Sequence, residues 1–417
     1  MPRFPPLDVA YTCSSLKENQ YVSKLDVLDV GVILANLLRH SETHFDLLNR
    51  LFGGDLFCIP GKLPLNEFLI DTFPAYDVFL LFRYASGLDS FEDLLFEYSR
   101  CKSSEISIPT GQIISLIELF YVLIRSLSSY IVDKYDVIII NASNIPSAIT
   151  GEIIASYIRE DDPYVRIIGI GNVWGMRHII ELLLKRGSID YAIYYKYEFN
   201  TSPLITALSK GEVRFDIPNL IYKKESNLYQ TKVDLNINLE LLPIPDFSFF
   251  NLNLYSQLSN GILTLPIEGS RGCNNTCNFC VDRKIFSPET GCNLFWTAKT
   301  PSRIVKEIKE YLHFKPSKLI FTDLTFNMHA NWLNEVLDAL YEERLDLLYG
   351  CNLRVDLLKH EHINKFRKTN FFKVILGIET FSEKSVDMLR KSLDSHNYVA
   401  LAKKMLFAFS RRGLLRR

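Results

Sequence analysis

The chain has 417 residues, of which 47% are hydrophobic and 23% charged, and its formal net charge is −1. This length accommodates two domains, and the composition is that of an ordinary packed globular protein. The balanced charge favours neither nucleic acid nor an anionic membrane as a partner, and no apolar segment of signal-peptide length opens the chain. We therefore expect a cytoplasmic protein.

The first 130 residues predict a short helix, a strand and a helical insertion. Two prolines precede Leu7 and favour a helix start there, with the helix continuing to Leu16. Residues 21–30 resemble a strand, and residues 31–130 carry a 3.6-residue apolar period. Within them, residues 113–132 are long enough to cross a membrane but contain Glu118 and Arg125, which favours a helix in water.

From Asp133 the pattern alternates between short apolar runs and helices. The predicted strands are 136–140, 165–170 and 191–195, and the predicted helices are 148–159 and 177–186. This alternation predicts a parallel sheet with right-handed crossovers. We interpret residues 1–211 as a Rossmann-like domain with the helical insertion, and residues 212–260 as a proline-containing linker.

A second alternating series fills residues 261–417 and predicts a partial (β/α) barrel of the TIM type. Its predicted strands are 262–267, 318–322, 346–352 and 372–378, and its predicted helices are 301–314, 331–343, 357–369, 382–391 and 401–411. Functional groups of such barrels lie at the carboxyl ends of the strands. The barrel has fewer strands than a full one, and both ends of the chain look short, so we expect a truncated form or a fragment.

Three of the eight cysteines are crowded into one loop after the first barrel strand, spaced C-x3-C-x2-C at Cys273, Cys277 and Cys280. Three thiolates on one loop suit three irons of a cubane and leave the fourth iron open. Zinc prefers four closed ligands, and no second cysteine pair is present; a zinc site that borrows a distant histidine remains the alternative. The other five cysteines are scattered and read as ordinary buried thiols.

This cysteine loop resembles the signature of the radical S-adenosylmethionine (SAM) enzymes, with Phe279 resembling the aromatic residue before the last cysteine. The resemblance covers residues 262–395. It implies a [4Fe–4S] cluster on the three cysteines and SAM bound at the open iron. It also implies reductive cleavage of SAM to a 5′-deoxyadenosyl radical, with an electron donor such as a flavodoxin or ferredoxin.

Three further residues resemble SAM-binding positions of that family at the ends of later strands. Asp323 corresponds to the acidic residue that faces the SAM amino group; a helix N-cap is its alternative. Arg354 is a candidate for the SAM carboxylate, the alternative being a surface arginine paired with Asp356. Glu379 lies in a Gly-Ile-Glu-Thr turn that resembles the fourth-strand motif.

The N-terminal half resembles the cobalamin-binding domains that are fused to some radical SAM enzymes, in its opening helix and in the order of its elements. The resemblance implies cobalamin as a further cofactor and methyl transfer as one reaction type. Where glycines are expected, however, the chain has Tyr195 and Tyr197, which would crowd a corrin. There is no Asp-x-His-x-x-Gly motif, and His178 is typical of a plain helix residue. Cobalamin binding stays open.

The sequence therefore predicts a radical SAM enzyme acting on a small-molecule or peptide substrate, without identifying that substrate or a catalytic residue. The alternative is a truncated, non-catalytic relic or an iron–sulfur binding module that keeps the fold.

Overall fold

The structure is a computed structural model that describes residues 4–29, 125, 128, 131–132, 134–141, 145–171, 177–212, 215–224, 227–280 and 296–411. Two compact units emerge. One lies within Val30–Asp234, and the other combines Pro2–Asp29 with Leu235–Arg417. The predicted helical insertion at 31–130, including most of the apolar segment 113–132, falls outside the described residues. No helix among the described residues is long and apolar enough to cross a bilayer.

The first unit is built on a five-stranded sheet with strands in sequence order. Its strands and helices are β1 Val137–Asn141, α2 Ile145–Asp161, β2 Arg166–Ile170, α3 Arg177–Arg186, β3 Tyr191–Ile193, α4 Tyr197–Ser209, β4 Leu220–Lys224 and β5 Asn227–Gln230. Strands β1 to β3 are parallel, as predicted, whereas β4 and β5 add in antiparallel orientation. Part of the predicted linker is therefore sheet.

Aromatic side chains explain why this hairpin joins the sheet. Tyr222 of β4 stacks on Tyr191 of β3 and on Tyr229 of β5, and Phe215 meets Tyr222 edge-on at 5.0 Å between ring centroids. Cross-strand aromatic pairs of this kind stabilise a sheet by about 0.2–1 kcal/mol each. The three tyrosines are 31 and 7 residues apart along the chain, so a local pattern does not reveal their pairing.

The second unit contains a four-stranded parallel sheet in the order β11-β10-β9-β6. Its strands are β6 Thr264–Ile267, β9 Lys318–Phe321, β10 Leu348–Arg354 and β11 Phe371–Gly377, and a two-stranded pair is formed by β7 Ser270–Arg271 and β8 Thr297–Ala298. Its helices are α1 Leu7–Lys17, α5 Leu252–Leu258, α6 Pro301–Tyr311, α7 Ala330–Glu343, α8 His360–Lys368, α9 Glu383–Met388 and α10 Ser395–Arg411. The predicted strand–helix alternation is present here, with boundaries shifted by a few residues.

Helix α1 packs with the second unit, although the sequence assigns it to the first domain. Ser14 Oγ donates to the Ile244 carbonyl at 2.6 Å, and Lys17 pairs with Asp246 at 2.9 Å. Deeper inside, Lys299 Nζ donates to the Tyr11 hydroxyl at 2.7 Å and to both oxygens of Glu307. Because these partners are more than 200 residues from α1 in sequence, periodicity alone does not place the helix.

The predicted strand at 21–30 is wrong over its described part, residues 21–29, which form no strand. Lys24 and Asp26 pair with each other at 2.8 Å in this segment. An extended segment becomes a strand only when a neighbour accepts its backbone hydrogen bonds.

Candidate functional site

The candidate site lies at the carboxyl edge of the second sheet. All four strands are parallel, so their carboxyl ends meet at one edge, where ligands bind in parallel α/β sheets. The cysteine loop follows β6, Asp323 follows β9, Arg354 ends β10 and Glu379 follows β11. Sequence reasoning predicted this shared edge.

The cysteine loop carries thiols that form no disulfide and accept hydrogen bonds. Cys273, Cys277 and Cys280 form no disulfide, and Cys277 is buried. Asn275 Nδ2 lies 3.2 Å from Cys273 Sγ, and the Cys280 backbone N–H donates to the Cys277 carbonyl at 3.3 Å. N–H donors to sulfur suit thiolates that ligate a metal.

Arg354 connects this loop to the end of β10. The side chain is buried, at 5% exposure, and its Nη1 lies 3.2 Å from Cys277 Sγ. Its Nε and Nη2 bind Asp356 at 3.0 and 2.7 Å. Burial is the largest single influence and lowers the pKa of Arg354, but the hydrogen bonds and charge interactions with Asp356 and Cys277 together outweigh it, so the pKa is raised overall. The predicted alternative, an arginine paired with Asp356, is right about the partner and wrong about the surface position.

Asp323 anchors the start of the cysteine loop. Its Oδ2 accepts from the Gly269 N–H at 3.0 Å, and its Oδ1 accepts from Ser270 Oγ at 2.5 Å. Burial raises the pKa of Asp323 to about 7, although both hydrogen bonds lower it. The helix N-cap alternative is wrong, because His329 occupies the N-cap of the next helix, α7.

Two asparagines at the same edge join β10 to the loop after β9. Asn327 exchanges two hydrogen bonds with the Arg354 backbone, at 2.8 and 2.9 Å, and Asn352 Nδ2 donates to the Asp323 carbonyl at 3.2 Å. These amides hold the loop after β9 to the last residues of β10.

Sequence reasoning missed Lys391, which touches three predicted site residues. Its Nζ pairs with Glu379 at 3.0 Å and lies 5.4 Å from the Phe279 ring centroid, while its carbonyl accepts from Arg354 Nη2. Glu379 has a left-handed φ of 66°, uncommon for a residue with a Cβ. Phe279 is half-exposed. The sequence signal for Lys391 was weak, since lysines are mostly surface residues.

The chemistry of the donor set, three thiols on one loop, is that of an iron–sulfur cubane. Within the described ranges, no three His, Cys, Asp or Glu side chains converge as they would around one metal ion. A cubane instead takes one thiolate per iron, so its three cysteines need not converge on one point. Three cysteines without a disulfide on one loop, two of them with N–H donors at 3.2 Å, supply the thiolates that such a cluster takes.

The turn after β3 in the first unit does not fit a corrin. Tyr195 and Tyr197 are buried, at 2% and 6% exposure, and fill the interior. Lys196 between them adopts a left-handed φ of 54° and pairs with Asp234 at 2.7 Å. The bulk of the two tyrosines is used in packing, so the close backbone approach that a glycine turn offers is missing here. Of the turns at the ends of β1 and β2, residues 142–144 and 172–176 are outside the described residues.

Comparison with known proteins gives matches in sequence and in fold. Residues 267–414 match the family description "Radical SAM superfamily". The anaerobic magnesium-protoporphyrin IX monomethyl ester cyclase of Synechocystis sp. is 22% identical over 271 residues, which is 59% of this chain and 50% of that protein. The chain thus spans about half the length of this curated relative.

Two solved structures share the fold. The radical SAM methyltransferase TsrM from Kitasatospora setae, with tryptophan and a SAM analogue bound, has a TM-score of 0.55 at 15% identity, covering 71% of this chain and 58% of that one. The cobalamin-dependent SAM radical enzyme OxsB, with aqua-cobalamin bound, has a TM-score of 0.53 at 17% identity, covering 71% and 42%.

Proposed function

We propose that this chain uses a [4Fe–4S] cluster on Cys273, Cys277 and Cys280 to cleave SAM reductively, as the match of residues 267–414 to the radical SAM superfamily supports. When bound, the cluster supplies the electron that splits SAM into methionine and a 5′-deoxyadenosyl radical. The protein residues position the loop, bind SAM and limit access of water.

One observation carries the proposal: buried Arg354, at the end of β10, lies 3.2 Å from the sulfur of Cys277. This contact brings the cysteine loop against the edge of the sheet where the polar groups of three other strands gather. The buried guanidinium is already paired with Asp356, so its further N–H bond to the Cys277 sulfur fixes the cysteine loop at the end of β10, where the proposal needs a thiolate ligand.

The proposed contacts to SAM follow from charge. Asp323 is the carboxylate proposed to face the SAM ammonium, and an approaching ammonium favours the ionised form of a carboxyl whose pKa is about 7. Glu379 is proposed for SAM binding after β11. The resemblance implies the SAM carboxylate as the partner of Arg354, but in the structure its guanidinium binds Asp356 and Cys277. An external electron donor and a small-molecule or peptide substrate complete the proposal, which places the chain in the cytoplasm.

The test is anaerobic reconstitution with iron and sulfide, followed by incubation with SAM and a strong reductant. We expect four irons per chain and 5′-deoxyadenosine as a product. Iron near zero in the wild-type chain refutes the cluster, and a loaded chain that yields no 5′-deoxyadenosine supports the alternative of a non-catalytic iron–sulfur module.

Cobalamin dependence is a second candidate, favoured by the fold shared with OxsB. The buried tyrosines after β3 argue against it, because their bulk stands where a corrin would need close backbone approach. Equilibrium dialysis with hydroxocobalamin decides: retention of about one cobalamin per chain supports dependence. Replacing Tyr195 and Tyr197 by glycine would remove the bulk that crowds a corrin, but both changes open cavities in the core.

A further inference from the structure

The guanidinium of Arg354 is almost fully used by contacts within the protein. Nε and Nη2 bind the two oxygens of Asp356, Nη2 also donates to the Lys391 carbonyl, and Nη1 donates to Cys277 Sγ. These four bonds occupy four of the five N–H groups of an arginine. A carboxylate held by two parallel N–H bonds, as expected for SAM, therefore has no free pair of donors here.

The contact with sulfur is fixed in direction. Because Asp356 binds Nε and Nη2 together, it sets the plane of the guanidinium, and Nη1 is left pointing at Cys277. Both Arg354 and Cys277 are buried, at 5% and 7% exposure, so water screens their interaction little.

We propose that Arg354 serves the Cys277 sulfur rather than the SAM carboxylate, as a positioning residue that raises the reduction potential of the cluster. This inference rests on the proposed function. An N–H donor and a nearby positive charge stabilise the reduced cluster, which carries one more negative charge, more than the oxidised one. Asp356 offsets the charge of Arg354, which leaves the directional N–H bond as the larger part of the effect.

The test measures the midpoint potential of the reconstituted full chain, without SAM, by redox titration followed by electron paramagnetic resonance. At the wild-type midpoint, Arg354→Gln should lower the ratio of reduced to oxidised cluster about tenfold, a shift of about 59 mV to more negative potential for one electron. Arg354→Lys keeps the positive charge but loses the planar guanidinium that directs an N–H at Cys277. Its midpoint potential should therefore shift in the same direction by a smaller amount.

The matched control is Arg303→Gln. Arg303 is also ion-paired with a buried carboxylate, Glu307, at 2.9 Å, and its other contacts within the described chain are the carbonyls of Glu240 and Leu242. Its replacement should leave the midpoint unchanged.

A midpoint of Arg354→Gln equal to that of the wild type overturns the inference. If the glutamine variant does not hold four irons, Arg354→Lys decides: a lower midpoint supports the inference and an equal one overturns it. A wild-type chain that binds no cluster overturns both proposals, whereas a loaded chain that does not cleave SAM overturns the function alone and leaves the midpoints to decide the role of Arg354.

Discussion

The two sheets of this chain differ in the side chains that lie at the ends of their parallel strands. In the second unit, the cysteine loop follows β6, and it is held by buried Asp323 after β9 through the Gly269 N–H and by buried Arg354 at the end of β10 through Cys277. In the first unit, β3 ends in tyrosines that pack into the interior. Both sheets contain parallel strands connected by helices. They nevertheless differ in the side chains available to a ligand at the carboxyl ends of those strands.

Charge burial follows the same division. Lys299 and Glu307 of the second unit form an ion pair with both side chains fully buried. In the first unit, Arg186 pairs with Glu152 at 2.8 Å, but the arginine side chain is 34% exposed. Two sheets of similar type therefore differ in where polar side chains cluster. A buried polar side chain needs a hydrogen-bond or charge partner, so such side chains are found together.

The largest expected effect concerns the cysteine loop. Cys277→Ala removes one thiolate and should reduce reconstituted iron from four per chain to near zero, with loss of SAM cleavage. The measurement is iron and sulfide per chain. The control is Cys351→Ala, a buried thiol in β10 whose pKa is raised by burial and which the cluster does not need. Equal iron in the two variants contradicts the assignment.

The next effect concerns the buried ion pair of the second unit. Glu307→Leu leaves Lys299 buried with Tyr11 as its remaining side-chain partner, and should lower the free energy of unfolding by about 3–5 kcal/mol. Adding Lys299→Met should restore most of the loss, as measured by urea denaturation. Glu343→Ala, which breaks the more exposed pair with Lys309, should cost less than about 1 kcal/mol. No recovery in the double variant would contradict this account.

A third prediction uses the raised pKa of Asp323. Because its folded pKa of about 7 lies above the unfolded value, the protonated carboxyl stabilises the fold below about pH 4, and this stability is lost as the pH rises to 7. The loss relative to Asp323→Asn approaches about 4 kcal/mol at most. Denaturation of the cluster-free chain at pH 4 to 8 measures it. A constant difference between the two proteins across that range refutes the burial effect.

The smallest effect belongs to the first unit. Tyr229 on β5 is 44% exposed and stacks on Tyr222, so Tyr229→Ala should cost less than about 1 kcal/mol. Iron content should not change. The matched control is Tyr164→Ala, because Tyr164 is 93% exposed and its replacement should not lower the free energy of unfolding. A drop in iron for Tyr229→Ala would show that the two units are not separable in function.

The sequence by itself determined the alternation of strands and helices, the cysteine spacing and the edge where Asp323, Arg354 and Glu379 gather. These follow from local rules, since apolar period and strand-end position act over a few residues. Only the tertiary structure decided that Lys391 joins Phe279, Arg354 and Glu379, that helix α1 packs with the second unit, and that β4 and β5 extend the first sheet. Those contacts join residues distant in sequence, whose pairing depends on complementary shape and charge in the folded chain rather than on any local pattern.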